Sequence, residues 1–224
     1  MSDQQRYTDP EIAAVWRAIR ERRDMRHFVP TPLADGALER LVEAAHLGPS
    51  VGYMQPWRFI RISDLALRRR MHQMVCAEQA KTAETLSSRR EEFLKLKVEG
   101  ILDCAEVLVV ALMPNRERHV FGRRTMPHMD LMSVGCAIQN MWLAARAEGI
   151  GLGWVSFFEP QALAELLAMP EGAEPVAILC IGHVPAFYPR PMLEDIGWGQ
   201  RLGMDEVLFD NGWPAGDRST PTAY

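Results

Sequence analysis

The chain has 224 residues, of which 48% are hydrophobic and 24% are charged, and its formal net charge is −4. These values are typical of a globular protein with one substantial core, and they exclude a disordered, collagen-like or coiled-coil chain. The mildly acidic balance gives no general attraction to nucleic acid or to an anionic membrane, so an anionic ligand needs a specific site. We therefore predict a single domain over residues 1–224, with neither nucleic acid nor membrane as a partner.

The cysteines and the start of the chain indicate a reducing compartment. Cys76, Cys104, Cys136 and Cys180 include no C-x-x-C pair and do not form the cysteine and histidine spacing of a zinc site, so we interpret them as buried thiols. The first residues lack the basic and apolar regions of a secretion signal, and no run approaches the roughly 18 apolar residues of a membrane span. We expect a cytoplasmic protein without a metal site.

Apolar periodicity and turn residues predict the elements of the first half of the chain. The sequence Thr8-Asp9-Pro10 supplies a capping side chain and an N1 proline for a first helix, and Gly48-Pro49 terminates a second. The predicted elements are, in chain order, a helix ending near residues 22–24, a helix over about 38–45, a loop over 50–56, a strand over 57–62, and one helix or two over about 64–97.

A continuously apolar run at residues 107–113 predicts a strand that is covered on both faces, and therefore a central strand of a sheet. Alternation of such strands with helices indicates a mixed α and β fold. The remaining predicted elements are an exposed, arginine-rich excursion over 114–127 that could serve as a lid, a very apolar helix over about 130–148, a strand over 152–158, a helix over 160–168, and a strand over 176–184.

Catalytic signatures such as a P-loop, a dinucleotide-binding glycine pattern, G-x-S-x-G or H-E-x-x-H are absent. The most unusual segment instead ends the first helix. Its residues are Arg22, Arg23, Asp24, Met25 and Arg26. Guanidinium groups offer forked donors that suit phosphate, and they favour the ionised form of a neighbouring carboxyl. The alternative is a solvated helix end with a surface ion pair.

A second polar segment, G-P-S-V-G-Y-M-Q-P-W at residues 48–57, follows the second predicted helix. Its glycines permit close approach of backbone to a ligand, and Ser50 and Gln55 supply hydrogen-bonding groups. The alternative is a structured turn without a ligand.

Together the two segments resemble the nitroreductase-like flavin proteins, whose usual patterns are R-R-S-x-R and P-S-x-x-N-x-Q-P-W. The resemblance continues through residues 133–141 and 181–185 and covers nearly the whole chain. It implies an α+β sandwich with a central mixed, largely antiparallel sheet flanked by helices. It also implies a homodimer that binds FMN at the subunit interface, with a C-terminal extension, residues 197–224, swapped onto the partner.

Two departures from the usual patterns are informative. Asp24 replaces the serine of the first pattern, and Tyr53, followed by Met54, replaces the asparagine of the second. Together with G-W-V-S at residues 153–156, these look like the 5,6-dimethylbenzimidazole synthase branch of the family. This resemblance implies that reduced FMN is the substrate, which dioxygen converts to 5,6-dimethylbenzimidazole, the lower ligand of cobalamin, and erythrose 4-phosphate. Asp24 and Ser156 are the implied catalytic residues.

The resemblance also implies which residues contact the flavin. They are Arg22, Arg23, Asp24, Met25, Arg26, Ser50, Tyr53, Met54, Gln55, Ser156 and Arg201. Arg22, Arg26 and Arg201 are the candidates for the phosphate. Without the resemblance, Ser156 reads as a strand hydroxyl bonded to backbone and Arg201 as an exposed tail charge.

Two other functions stay open at this point. One is an FMN enzyme that passes hydride from NAD(P)H to a nitroaromatic or a quinone, with the flavin kept intact. The other is a flavin-binding or redox-sensing module without catalysis. The sequence has no dinucleotide fingerprint, so NAD(P)H could act directly or through a separate flavin reductase.

Overall fold

The strand that the sequence predicts to be central is central in the structure. The computed structural model describes residues 5–86 and 89–213. Its strands are β1 (Trp57–Arg61), β2 (Glu106–Leu112), β3 (Gly151–Val155) and β4 (Glu174–Gly182). They form one sheet in the order β1-β2-β4-β3, and all of these pairings are antiparallel. The α+β class and the largely antiparallel sheet are confirmed.

Helices cover both sides of this sheet. In the described ranges they are, in chain order, α1 (Asp9–Glu21), α2 (Ala37–His46), α3 (Leu65–Thr85), α4 (Arg90–Leu94), α5 (Gly100–Asp103), α6 (Met129–Ala147), α7 (Pro160–Leu166) and α8 (Met192–Asp195). The predicted helical stretch over 64–97 is therefore two helices, and Leu86 leaves the first of them in extended conformation. Residues 87 and 88 lie outside the described ranges.

Alternating side chains of β2 supply two separate cores. Leu108 and Val110 pack with α2 and α6 on one face of the sheet, whereas Val107 and Val109 pack with α3, α5 and α7 on the other. A strand buried on both faces has no position for a polar side chain, which explains the uninterrupted apolar run. Each such side chain contributes about 1.5–3 kcal/mol when fully buried.

The structure corrects two sequence-based expectations. Cys104 and Cys180 are buried as predicted, but Cys136 is exposed and Cys76 is only partly buried. Cys136 lies on α6 between the buried positions of that helix, so the helical repeat turns it outward. The predicted strand over 152–158 is also too long, since β3 ends at Val155.

The excursion over residues 114–127 is anchored at both ends of its arginine-rich part. Arg116 and Arg123 both pair with the buried carboxylate of Asp130 at the start of α6, each at 3.0 Å. The segment also lies against the 50–55 loop, because a Cβ atom at Gly52 would lie 3.0 Å from the carbonyl oxygen of Phe121. Closure of this segment as a lid stays a prediction.

The C-terminal extension begins at residues 197 and 198, which Arg89 contacts. Its guanidinium donates to the carbonyl oxygens of Gly197 and Trp198, both at 3.1 Å, and lies 4.1 Å from the centre of the Trp198 ring. The later part of the predicted extension, residues 214–224, lies outside the described residues. In the part of the chain that the structure describes, no helix is long and apolar enough to cross a membrane.

Candidate active site

The R-R-D-M-R segment leaves α1 and runs in extended conformation beside β3. The Met25 N–H donates to the carbonyl oxygen of Leu152 at 3.0 Å, and Asp24 forms an isolated parallel bridge with Leu152. The Met25 side chain is buried in the core and thereby anchors the segment to it. This bridge supplies a parallel element next to an otherwise antiparallel sheet.

Both oxygens of the Asp24 carboxylate are held. Oδ1 accepts a hydrogen bond from the backbone N–H of Trp154 at 2.8 Å, and Oδ2 accepts from Arg26 Nε at 2.9 Å and Nη2 at 2.6 Å. The Asp24 side chain is 34% exposed, whereas that of Arg26 is 15% exposed. The carboxylate therefore has a fixed direction and is still open to a ligand.

Gly153 makes this close approach of the two segments feasible. A Cβ atom at this position would lie 2.2 Å from the Met25 carbonyl oxygen and 3.7 Å from Asp24 Oδ1. The near contact is with backbone, which cannot turn aside as a side chain can. A glycine is therefore required wherever the Asp24 segment crosses β3 at this distance.

We expect Gly153→Ala to lower the free energy of unfolding by about 1–3 kcal/mol, because overpacking forces the Asp24 segment away from β3. Urea unfolding measures the change. The control is Gly135→Ala in α6, where a Cβ atom meets nothing within 4 Å. That variant should be unchanged or more stable by up to about 1 kcal/mol. Equal stability of both variants would contradict the proposed backbone clash.

A cavity of about 440 Å³ opens beside Asp24. Its lining residues are Ile19, Arg20, Arg22, Arg23, Asp24, Pro191, Met192, Leu193 and Arg201. Neither Arg22 nor Arg201 pairs with a carboxylate of the described residues. Burial lowers the pKa of Arg22, and the cations Arg23 and Arg201 lower it further against the opposite effect of Asp24. A bound anion would relieve this cost of converging cations.

The other two arginines of the segment have structural partners. Arg23 donates through Nη1 to the carbonyl oxygens of Arg20 and Arg22, at 2.6 and 2.8 Å, and through Nη2 to that of Pro189 at 2.8 Å. Two buried nitrogens, Arg23 Nε and Arg26 Nη1, nevertheless have no hydrogen-bond partner among the described residues. Unsatisfied buried donors beside a cationic cavity suit an anionic, oxygen-rich ligand.

The 50–55 loop has an unusual backbone. Gly52, Tyr53 and Gln55 adopt positive φ angles of 54°, 52° and 50°, which is costly for the two residues with side chains. The hydroxyl of Ser50 stabilises the turn by accepting from the Gln55 N–H at 3.0 Å. Tyr53 is 83% exposed, whereas Met54 is only 8% exposed.

The loop and the arginines do not share one cavity within the chain. Met54 and Gln55 line a second cavity, of about 350 Å³, together with Val42, His46, Trp57, Arg58 and Phe59. None of these residues lines the first cavity. Within the described residues, the predicted flavin contacts therefore fall into two groups, one around Asp24 and one in the loop.

Ser156 lies just beyond the end of β3 and is exposed. It follows Trp154, whose N–H holds Asp24, by two residues, a distance of at most about 7 Å in an extended chain. Among the described residues its hydroxyl has no hydrogen-bond partner, so the bonded-strand alternative does not account for it. Its catalytic role stays a prediction.

Sequence reasoning missed Trp142 as part of this site and saw only an apolar residue of α6. Its Nε1–H donates to the carbonyl oxygen of Arg23 at 3.0 Å, and the Arg22 guanidinium lies 4.5 Å from the centre of its ring. No local pattern could have revealed this contact, because 119 residues separate Trp142 from Arg23.

The fold and the site define a protein with an antiparallel sheet between two helical layers and a cationic cavity that holds one oriented carboxylate. The nitroreductase family model matches residues 19–183, and the chain belongs to this family. This confirms the resemblance that the two sequence segments predict.

Individual relatives narrow the comparison. The 5,6-dimethylbenzimidazole synthase of Rhodospirillum rubrum is 39% identical over 182 residues, which cover 80% of this chain and 86% of that protein. The 5,6-dimethylbenzimidazole synthase of Rhodobacter capsulatus is 39% identical over 194 residues, covering 84% and 92%. The structure of iodotyrosine deiodinase bound to FMN and 3-iodo-L-tyrosine superposes with a TM-score of 0.71 at 17% identity, over 89% of this chain and 100% of that chain, and so shares the fold.

Proposed function

We propose that the protein is a 5,6-dimethylbenzimidazole synthase, which consumes reduced FMN and dioxygen and releases 5,6-dimethylbenzimidazole for the lower ligand of cobalamin. Erythrose 4-phosphate is the accompanying product. The observation that carries the proposal is the Asp24 carboxylate, oriented by Trp154 and Arg26 at the wall of a cationic cavity. The names of relatives that cover most of the chain support it.

Arg22 and Arg201 are the residues that would hold the phosphate. Both line the cavity, and their guanidinium groups carry planar donors that match phosphate oxygens. The unpartnered nitrogens of Arg23 and Arg26 would donate to ribityl or ring oxygens. When bound, reduced FMN supplies the electrons for dioxygen and the carbon atoms of the benzimidazole.

Asp24 is the proposed general base. An ionised carboxylate oxygen keeps a further lone pair after it accepts one hydrogen bond, so Oδ1 can take a proton while the Trp154 N–H stays in place. Arg26 pairs with the other oxygen and fixes the direction of the carboxylate before proton transfer. Ser156, close by along β3, would donate a hydrogen bond that orients the substrate.

A homodimer would bring the second group of predicted contacts to the flavin. Ser50, Tyr53, Met54 and Gln55 would then act from the partner subunit, because this loop and the arginines line different cavities of one chain. The 83% exposure of Tyr53 supports a role outside its own chain. On α1, Val15, Trp16 and Ile19 are also exposed, as expected for an apolar contact surface. The swapped extension belongs to the same proposal.

Mass analysis of the small molecules tests the proposal. Chemically reduced FMN is mixed with the protein in air, and the expected result is loss of FMN with matching formation of 5,6-dimethylbenzimidazole. Intact flavin with turnover of NAD(P)H and a nitroaromatic would support the nitroreductase alternative instead. Intact flavin without any turnover would support a binding or sensing module.

The source of electrons requires a second incubation. Oxidised FMN and NAD(P)H replace reduced FMN in the same assay. Product formation by the protein alone would mean direct use of NAD(P)H, whereas product formation only after addition of a flavin reductase would mean a separate reductase. The incubation decides between the two routes, because the sequence carries no dinucleotide fingerprint that would indicate direct use of NAD(P)H.

We expect Arg201→Gln to weaken FMN binding roughly 10- to 100-fold, because a hydrogen bond to a charged group is worth about 1.5–3 kcal/mol. Quenching of flavin fluorescence in a titration measures the dissociation constant. Arg190→Gln is the control, since Arg190 pairs with Asp195 at 2.9 Å and does not line the cavity. A matching loss in both variants would rule out a specific contact by Arg201.

A further inference from the structure

The buried indole of Trp142, on α6, contacts the R-R-D-M-R segment at residues 22 and 23. Trp142 is 9% exposed, and its Nε1–H holds the carbonyl oxygen of Arg23 at 3.0 Å. Its ring centre lies 4.5 Å from the guanidinium carbon of Arg22 and 6.2 Å from the ring centre of Trp154. Trp154 in turn donates its backbone N–H to Asp24. The indole therefore contacts both the segment that carries the carboxylate and the strand residue whose N–H holds it.

The contact with Arg22 matters for the cavity because of how a guanidinium binds its partners. Stacking on an aromatic ring uses the flat face of the group, and the N–H donors lie in its plane and stay available at its edge. Arg22 is half-buried, and burial lowers its pKa, so the charged form needs compensation. The negative face of the Trp142 ring provides part of this compensation. It does so without occupying the N–H donors of Arg22 that an anion would use.

The hydrogen bond to Arg23 fixes the backbone at the same point. Arg22 directly follows α1 and already has an extended conformation, with φ −60° and ψ 131°. Residue 23 lies between Arg22, whose guanidinium lies over the Trp142 ring, and Asp24, so a bond to its carbonyl group limits rotation of both neighbours. Trp142 itself lies on α6 among fully buried residues such as Met141 and Ala145, and it has little freedom to move.

We propose that Trp142 is a positioning residue which, through Arg22, sets the preference of the site for phosphorylated flavin over riboflavin. The inference rests on the proposed function, since it takes FMN as the ligand. It assigns the selectivity for the phosphate to a residue that does not contact the phosphate. The substrate class follows directly: a flavin with a terminal dianion is favoured over its neutral analogue.

The test compares dissociation constants for FMN and riboflavin in wild type, Trp142→Phe and Trp142→Leu. We expect Trp142→Leu to weaken FMN binding about tenfold and to leave riboflavin binding nearly unchanged. Trp142→Phe keeps an aromatic face but lacks the N–H. Its dissociation constant for FMN should lie between those of wild type and Trp142→Leu. Met71→Ala, a buried change on the opposite side of the sheet, is the control for general destabilisation and should not alter the FMN to riboflavin ratio.

A double-variant comparison identifies Arg22 as the route. In an Arg22→Gln background, Trp142→Leu should cause no further loss of FMN affinity, because the group that the ring supports has gone. An equal loss in both backgrounds, or parallel losses for FMN and riboflavin, would overturn the proposal. If Trp142→Leu does not fold, Trp142→Phe is compared in the wild-type and Arg22→Gln backgrounds. That comparison decides in the same way whether Trp142 acts through Arg22.

Failure of this inference and failure of the proposed function are distinguishable, because binding and product formation are measured separately. A changed FMN to riboflavin ratio without benzimidazole formation by wild type would keep the role of Trp142 and reject the synthase. Benzimidazole formation with an unchanged ratio in Trp142→Leu would keep the synthase and reject the role of Trp142.

Discussion

Replacement of Asp24 by Asn is expected to lower the rate of benzimidazole formation by about 10²- to 10⁴-fold, the usual contribution of a general acid or base. The amide oxygen can still accept the Trp154 N–H that Oδ1 accepts at 2.8 Å, so the segment keeps its anchor. The amide group cannot take a proton at neutral pH. FMN should therefore bind while its fragmentation stops, and single-turnover product analysis measures the rate.

A control is needed because the amide also removes the ion pair with Arg26. That pair joins Asp24 Oδ2 to Nη2 at 2.6 Å, and the Arg26 side chain is largely buried. Arg26→Gln removes the same pair and leaves the carboxylate in place. If Arg26→Gln reduces the rate at saturating FMN as much as Asp24→Asn does, the ion pair rather than proton transfer is what matters. Appreciable benzimidazole synthesis by Asp24→Asn would contradict the proposal that Asp24 is the general base.

Local patterns were sufficient for the elements that local chemistry decides. The run at 107–113 predicted a doubly covered strand because a buried strand tolerates no polar residue, and β2 is such a strand. The guanidinium groups of Arg22, Arg26 and Arg201 were predicted to meet at one phosphate site. Arg22 and Arg201 line the same cavity, whereas Arg26 pairs with Asp24 and does not line it. That second prediction came from the family resemblance, since nothing in the sequence itself links two residues so far apart.

Contacts between distant segments could not be predicted in the same way. The role of Trp142 depends on where α6 lies relative to the end of α1. The apolar periodicity of α6 indicates only that one face of this helix is buried. Arg116 and Arg123 looked like part of an exposed excursion, but Asp130, later in the chain, holds both. The separation of the 50–55 loop from the Asp24 cavity likewise has no local signal in the sequence. Only the family resemblance, which implies FMN at a subunit interface, predicts a site shared by two chains.

Replacement of Asp130 by Asn is expected to lower the free energy of unfolding by about 3–5 kcal/mol, as is usual when a buried ion pair loses one partner. The Asp130 side chain is 7% exposed, and its Oδ2 accepts from both Arg116 and Arg123 at 3.0 Å. The two guanidinium side chains are themselves only 16% and 15% exposed. A neutral amide would leave them close together without a full counter-charge. Among the described residues, Arg116 would keep one ion pair, with the 54% exposed side chain of Glu174, and its hydrogen bonds to the carbonyl oxygens of Met113 and Gly172.

Urea unfolding of Asp130→Asn against Glu117→Gln measures this effect, because Glu117 lies in the same segment, is exposed, and forms no ion pair with a described residue. The variant at Asp130 should also expose the arginine-rich segment to trypsin, since its anchor to α6 has weakened. If the segment closes over bound flavin as a lid, added FMN should restore resistance to trypsin in the Asp130 variant. Equal urea midpoints for the two variants would mean that the pairs with Arg116 and Arg123 do not hold the segment, whatever their distances.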